Sequence, residues 1–221
     1  MSRTMLAGAV CLVAAPALEI VSSIVIPTMS DESGPVVTAL RDHHGTMIAA
    51  LTLEMLALAL LIAGTAWLAL AVAPRSPRLA AAGGILGVAG LLAVLFANGM
   101  NAASAPIVSA LDPANATTAV DAISGSAAVS ALEPLSILHL TGLILLATAL
   151  RRTTAAASVT LVVGAVVETA GFATGTRALV IAGFAVFLAG AFGIVRRLAV
   201  PAGRSAHQFL ERGLVAENVE V

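Results

Sequence analysis

Lysine and tyrosine are absent from this sequence, and tryptophan and cysteine occur once each. Without lysine there is no Schiff base, which excludes a retinal pigment and an aldolase-type mechanism. A single cysteine, Cys11, can close no intramolecular disulfide. With Trp67 alone and no tyrosine, the aromatic belt that usually marks a bilayer interface is nearly missing. Charge is also scarce: 10% of the 221 residues are charged, against about 25% in a soluble domain. With 59% hydrophobic residues and a mean hydropathy of +1.03, the chain cannot cover itself with polar surface in water. It reads as an all-α integral membrane protein with lipid as its first partner. The net charge of −1 gives no reason to expect nucleic acid.

A spanning helix needs about 20 mostly apolar residues, and six stretches meet that length. They cover about 5–26, 47–73, 79–99, 127–150, 154–174 and 178–200, the fourth with Pro134 as a kink. Residues 1–200 are thus expected to form one six-helix transmembrane domain, with 201–221 a cytoplasmic tail that opens as a short interfacial helix. The first stretch also has the outline of a signal peptide around Ala15-Pro16-Ala17. Its apolar character runs nine residues further, to Ile26, which favours a retained helix.

All eleven basic residues are arginine, and they set the orientation. With the N-terminus inside, Arg3, Arg75, Arg78, Arg151, Arg152, Arg196, Arg197, Arg204 and Arg212 fall on the cytoplasmic side. Only Arg41 and Arg177 fall outside, alongside Asp31, Glu32, Asp42, Asp112 and Asp121. That asymmetry is the positive-inside pattern of a bacterial cytoplasmic membrane, with both termini inside. Between spans three and four, Asp112-Pro113 is a helix start, a capping side chain followed by proline at the first helical position. A short external amphipathic helix, Ala114–Ile123, is expected there, ended by Gly125.

Ionisable groups in hydrocarbon are costly, and those present mark sites. Glu19, Glu54 and Glu168 fall inside spans one, two and five, each in the outer half. Glu133 sits directly before Pro134 and His139 five residues after it in the fourth span, Asn98 ends the third, and Arg177 opens the sixth. These seven residues are the expected ligand- or ion-binding set, a polar pocket in the outer half of the bundle. Asp42, His43 and His44 precede the second span and are expected at its rim or gate. His43 and Glu54 are eleven residues apart, ~16 Å along a helix, so they form no local site together. The leading reading is binding or transport of a small molecule or ion, proton-linked through the carboxylates. Two alternatives stand beside it: a non-enzymatic accessory protein with a polar packing cluster, and a metal-dependent membrane-embedded enzyme.

His44, His139 and Glu54 are the candidate zinc ligands, since imidazole and carboxylate suit that ion. No H-E-x-x-H occurs, and any metal would have to draw ligands from separate helices. For haem, His139 with His44 is the one available axial pair. No cofactor is expected. Gly83 and Gly87, Gly171 and Gly175, and Gly183, Gly190 and Gly193 are spaced for close helix packing, inside the bundle or across a homodimer.

Three segments carry a family resemblance. Ala17-Leu18-Glu19-Ile20 ends the first helix, Asp42-His43-His44-Gly45-Thr46 opens the second, and Asp112-Pro113-Ala114 precedes the fourth. Together with the helix pattern over Met5–Arg197, they resemble a family of uncharacterised six-helix membrane proteins of high-GC bacteria. That resemblance implies a fold and no activity. Its motif positions fall on Glu19, His44 and Gly45.

Overall fold

A backbone in hydrocarbon must satisfy its own hydrogen bonds, so long apolar runs become helices. The computed structural model describes residues 3–30 and 32–199, and among them there is no strand. Eight helices follow in order: α1 (Arg3–Val25), α2 (Ser33–Asp42), α3 (His44–Val72), α4 (Pro77–Ala110), α5 (Pro113–Ser124), α6 (Ala127–Ser136), α7 (Leu138–Ala173) and α8 (Arg177–Ala199). The expected tail, 201–221, lies outside the described residues, as do Asp31 and the side chain of Glu133.

Five segments are long and apolar enough to cross a membrane: Arg3–Val25, His44–Val72, Pro77–Ala110, Pro134–Ala173 and Arg177–Leu198. Their outward faces carry Leu6, Leu70, Ile85, Phe96, Val159 and Phe192, all more than half exposed. Lipid, not water, suits such a surface. Inside, Leu12, Leu68, Leu143, Leu146, Leu161 and Phe187 form the main core.

The longest of these segments is bent back on itself. Thr154 interrupts α7 with φ −140° and ψ 40°. In a straight helix His139 and Glu168 would lie ~43 Å apart, yet Nε2 and Oε1 are 3.8 Å apart. α7 is therefore a hairpin with arms 138–153 and 155–173. The expected link at Arg151–Thr153 contracts to one non-helical residue. The Thr154 hydroxyl is buried there, bonding the Leu150 carbonyl at 3.3 Å and Ser158 Oγ at 3.1 Å.

Each arm packs against its own partner through glycine. The first arm meets α4, with Gly83 against Leu146, Gly87 against Gly142 and Gly90 against the backbone of His139. The second arm meets α8, where Gly193 touches Ala157, Gly190 Leu161, Gly164 Phe187, Gly183 Glu168 and Gly171 Val180. Partners step three or four residues in opposite directions, so both pairs are antiparallel and close-packed. α1 lies antiparallel to α3, with Gly64 against Leu12 and Gly8 against Trp67.

Three boundaries depart from the sequence reading. α4 runs to Ala110, well past Gly99, through Pro106. Between the expected spans 5–26 and 47–73, where no helix was assigned, α2 forms. One cause explains both: Val37 and Leu40 of α2, Met47, Ala105 and Val108, and Ala116 and Val120 of α5 bury one another in a second core. Ser33 donates to Asp121 at 2.5 Å, and Arg41 donates to the Val108 and Leu111 carbonyls, closing this cap over one end of the bundle. Third, residues 127–150 are not one kinked helix. The helix is interrupted at Ile137, three residues after Pro134, although Ile137 itself keeps near-helical angles, φ −64° and ψ −18°.

The Asp112-Pro113 start appears as expected. Asp112 caps α5 by accepting from the Asn115 amide at 3.1 Å, Pro113 opens the helix, and Gly125 ends it.

Candidate functional site

Glu19 is reached from α1 one turn after Pro16, which is itself buried. A turn further on, Ser22 Oγ donates to the Ala50 carbonyl at 2.9 Å, locking α1 to α3. Glu19 is 4% exposed and Glu168 is 7% exposed. Glu54 is partly buried on α3, and its Oε1 accepts from Asn98 Nδ2 of α4 at 2.7 Å. The Glu19 carboxyl lies within electrostatic reach of both Glu54 and Glu168. All three belong to the half of the bundle nearer the α2–α5 cap. Every arginine among the described helices sits at a helix end or at the Thr154 turn. Charge balance in this interior therefore needs protons or a cation.

His139 is the base nearest these carboxylates. The Ser136 carbonyl accepts from its Nδ1 at 2.6 Å, so Nδ1 carries hydrogen. Nε2 then faces Glu168 Oε1 at 3.8 Å, an ion-pair distance beyond a direct hydrogen bond. The pair can hold a proton on either partner: imidazolium with carboxylate, or imidazole with carboxylic acid. The other oxygen, Glu168 Oε2, is buried with no hydrogen-bond partner in the structure. Glycine from a neighbouring helix backs each half of the pair: Gly90 of α4 behind His139, and Gly183 of α8 behind Glu168.

Beside the pair, the α6–α7 break opens a groove of about 500 Å³, lined by Pro134, Ser136, Ile137, His139, Leu140 and Thr169.

The remaining expected residues go elsewhere. Arg177 is exposed and donates to the Ile26 carbonyl at 2.7 Å, staying clear of the carboxylates. It lines a shallow depression of about 440 Å³ with residues 27–30 and Gly175, whose φ is +61°. Asp42, His43 and His44 are exposed on the tight turn joining α2 to α3. Among the described residues no three His, Cys, Asp or Glu side chains converge as a metal site. The zinc candidates are split accordingly: His44 on the surface, Glu54 with Asn98, and His139 with Glu168.

The sequence reading missed Thr169, Ile137 and Leu140 of the groove, and Gly90 behind His139. Only the Pro134 kink hinted at the first three. Gly183 had been noted, but for helix packing alone.

Comparison with protein-family models, with curated proteins and with solved structures finds no match to this chain.

Proposed function

We propose that this chain is a six-span bacterial inner-membrane protein that binds or transports a small molecule or ion through a polar pocket in its outer half. In this reading the Thr154 hairpin supplies spans four and five, and both termini are cytoplasmic. The α2–α5 cap then lies outside. The arginine asymmetry supports that orientation, and the reversal within α7 supports the span count.

One observation carries the functional reading. Three membrane-embedded carboxylates share an interior with a single imidazole, and one oxygen of Glu168 is left without a partner. An unmet buried acceptor costs about 1–3 kcal/mol, a cost that a proton or a bound cation at this oxygen would remove. A site that exchanges a proton for a ligand leaves it open. His139 and Glu168 are the proton-holding pair, Glu19 is a further buried carboxyl beside them, and Glu54 is steadied by Asn98.

The test is access from the outer aqueous phase. In a Cys11→Ser background, Asn98→Cys, Asn101→Cys and Leu92→Cys are labelled on intact cells with a membrane-impermeant thiol reagent. Asn101 is exposed beyond the pocket and Leu92 is exposed on the lipid face. Asn98→Cys is expected to label at a rate approaching that of Asn101→Cys. Labelling as slow as at Leu92→Cys would reject a pocket open to the outer aqueous phase.

A further inference from the structure

The end of the bundle opposite the α2–α5 cap carries Arg75 and Arg78 on the α3–α4 link, Arg151 and Arg152 at the α7 reversal, and Arg196 and Arg197 at the close of α8, all exposed. Among the described residues no aspartate or glutamate lies at that end. The ion pair of His139 with Glu168 is the one found among the described residues, so no carboxylate there offsets these guanidiniums. Helix register then gathers four of them. Gly190 of α8 stands against Leu161 and Gly193 against Ala157. The next step of this antiparallel seam sets Arg196 and Arg197 level with residues 153–154, beside Arg151 and Arg152. Among the described residues α8 packs against α7 and α1 alone, which leaves the Arg75–Arg78 link apart from this group. The lipid-facing surface stops just short of it. Phe192 lies one turn before Arg196, ~6 Å along α8, and Val159 lies shortly after the reversal; both are more than half exposed. Side chains that meet lipid tails so close to the helix ends put the four guanidiniums at the depth of the headgroups.

We propose that the α7–α8 end is a binding site for a membrane lipid whose headgroup carries two phosphates. It goes beyond the outer pocket and does not depend on it. Charge complementarity selects an anion, and the guanidinium fork matches phosphate with paired N–H donors. Basic clusters between spans are known to take anionic headgroups. Membrane orientation asks only for positive charge near span ends, and the Arg75–Arg78 link supplies that as well. The α7–α8 end differs in having two neighbouring arginines on each of two helix ends, held at one level. Two phosphates joined in one headgroup reach both ends, whereas a single phosphate reaches one. A soluble phosphate gains nothing from Phe192 and Val159, while the tails of a lipid cover them. Once bound, the headgroup ties the end of α8 to the reversal of α7.

The probe is cardiolipin, titrated into the full chain in detergent micelles, with bound lipid counted by native mass spectrometry. Phosphatidylglycerol at matched phosphate is the single-phosphate comparison. Wild type is expected to take up cardiolipin saturably, about tenfold more tightly than phosphatidylglycerol. The double variant Arg196→Gln, Arg197→Gln should lose about tenfold in cardiolipin affinity and bind the two lipids alike. Its control is Arg75→Gln, Arg78→Gln, which removes the same charge from the same end but away from α8, and should keep the wild-type preference. All four positions are exposed, so neither double removes core packing. Equal losses in the two doubles would reduce the effect to general surface charge and overturn the proposal. So would equal binding of both lipids by wild type, or displacement of cardiolipin by inorganic pyrophosphate at equal concentration, which would assign the arginines to a soluble anion. Since no outcome involves Asn98 or the buried carboxylates, failure here leaves the outer pocket standing, and failure of the pocket leaves this site standing.

Discussion

The glycine behind Glu168 permits a quantitative test of how the site is held. Replacing Gly183 with alanine adds one methyl group that would stand 2.6 Å from Glu168 Cα and 2.8 Å from its Cβ, as well as against its backbone nitrogen. These are backbone-anchored atoms, with no flexible side-chain end to swing aside. Ordinary contact begins at 3.4 Å, and the backbone nitrogen stands nearest of the three, so α8 and the second arm of α7 must separate locally by about 1 Å. A gap of that size forfeits a quarter to a half of the dispersion attraction across it. One leucine's worth of contacts, roughly 40–60 at ~0.1–0.2 kcal/mol each, then loses about 2–4 kcal/mol. That is consistent with the usual cost of over-packing, about 1–3 kcal/mol. The control is Gly45→Ala in the first turn of α3, where an added Cβ meets nothing within 4 Å. Helix propensity there favours alanine, by up to about 1 kcal/mol. The two substitutions should therefore move reversible detergent unfolding in opposite directions. Equal, small effects from both would show that the α7–α8 seam is not close-packed at Glu168, and the geometry of the site would have to be redrawn.

Three further outcomes follow from the cap and from the core. Hydrogen bonds from the Asn115 backbone and side chain hold the Asp112 carboxyl below its ordinary value of 3.8. Its capping is therefore complete above that value and lost as pH falls through the lowered one. Amide-exchange protection of α5 should decline on acidification, and Asp112→Asn, which keeps an acceptor, should abolish that dependence. Arg41→Ala removes the donor to the Val108 and Leu111 carbonyls. At a partly solvated site this costs about 1 kcal/mol, seen as roughly fivefold faster exchange in α2 and α5; unchanged exchange would mean that Arg41 does not tie the cap down. Trp67 is 5% exposed, and its indole nitrogen has no hydrogen-bond partner in the structure. Trp67→Phe exchanges lost volume for relief of a stranded donor and should shift stability by less than ~1 kcal/mol, whereas Trp67→Ala should cost ~3–5 kcal/mol. Similar losses from both would show that the indole nitrogen is satisfied after all.

Hydrophobic length made the spanning segments legible before any coordinates, and the arginine pair at 151–152 marked where α7 reverses. The meeting of His139 with Glu168 was legible too, because both fall in apolar runs where few polar partners exist. Arg177 was grouped with them by depth alone. Depth says nothing about direction, and its side chain turns to the end of α1 instead. The cap escaped notice for a different reason. Asn98, Asn101 and Pro106 look like loop residues, yet α4 continues through them because Ala105 and Val108 gain burial against α2 and α5. Tertiary packing outweighed local propensity there. The partners of the glycines were beyond reach as well, since spacing along one helix does not fix its register against another.

The hairpin of α7 is also a lever. Its fulcrum is Thr154, and His139 and Glu168 sit near the free ends of the two arms, ~21 Å from it. A splay of about five degrees at Thr154 would part the two side chains by about 2 Å. One arm moves with α4 and the other with α8, because each is zipped to its own glycine-lined neighbour. The distance between one imidazole and one carboxylate thus gauges how far the two sides of the bundle have rocked apart. The protonation of that pair and the posture of the whole bundle are read off the same hinge.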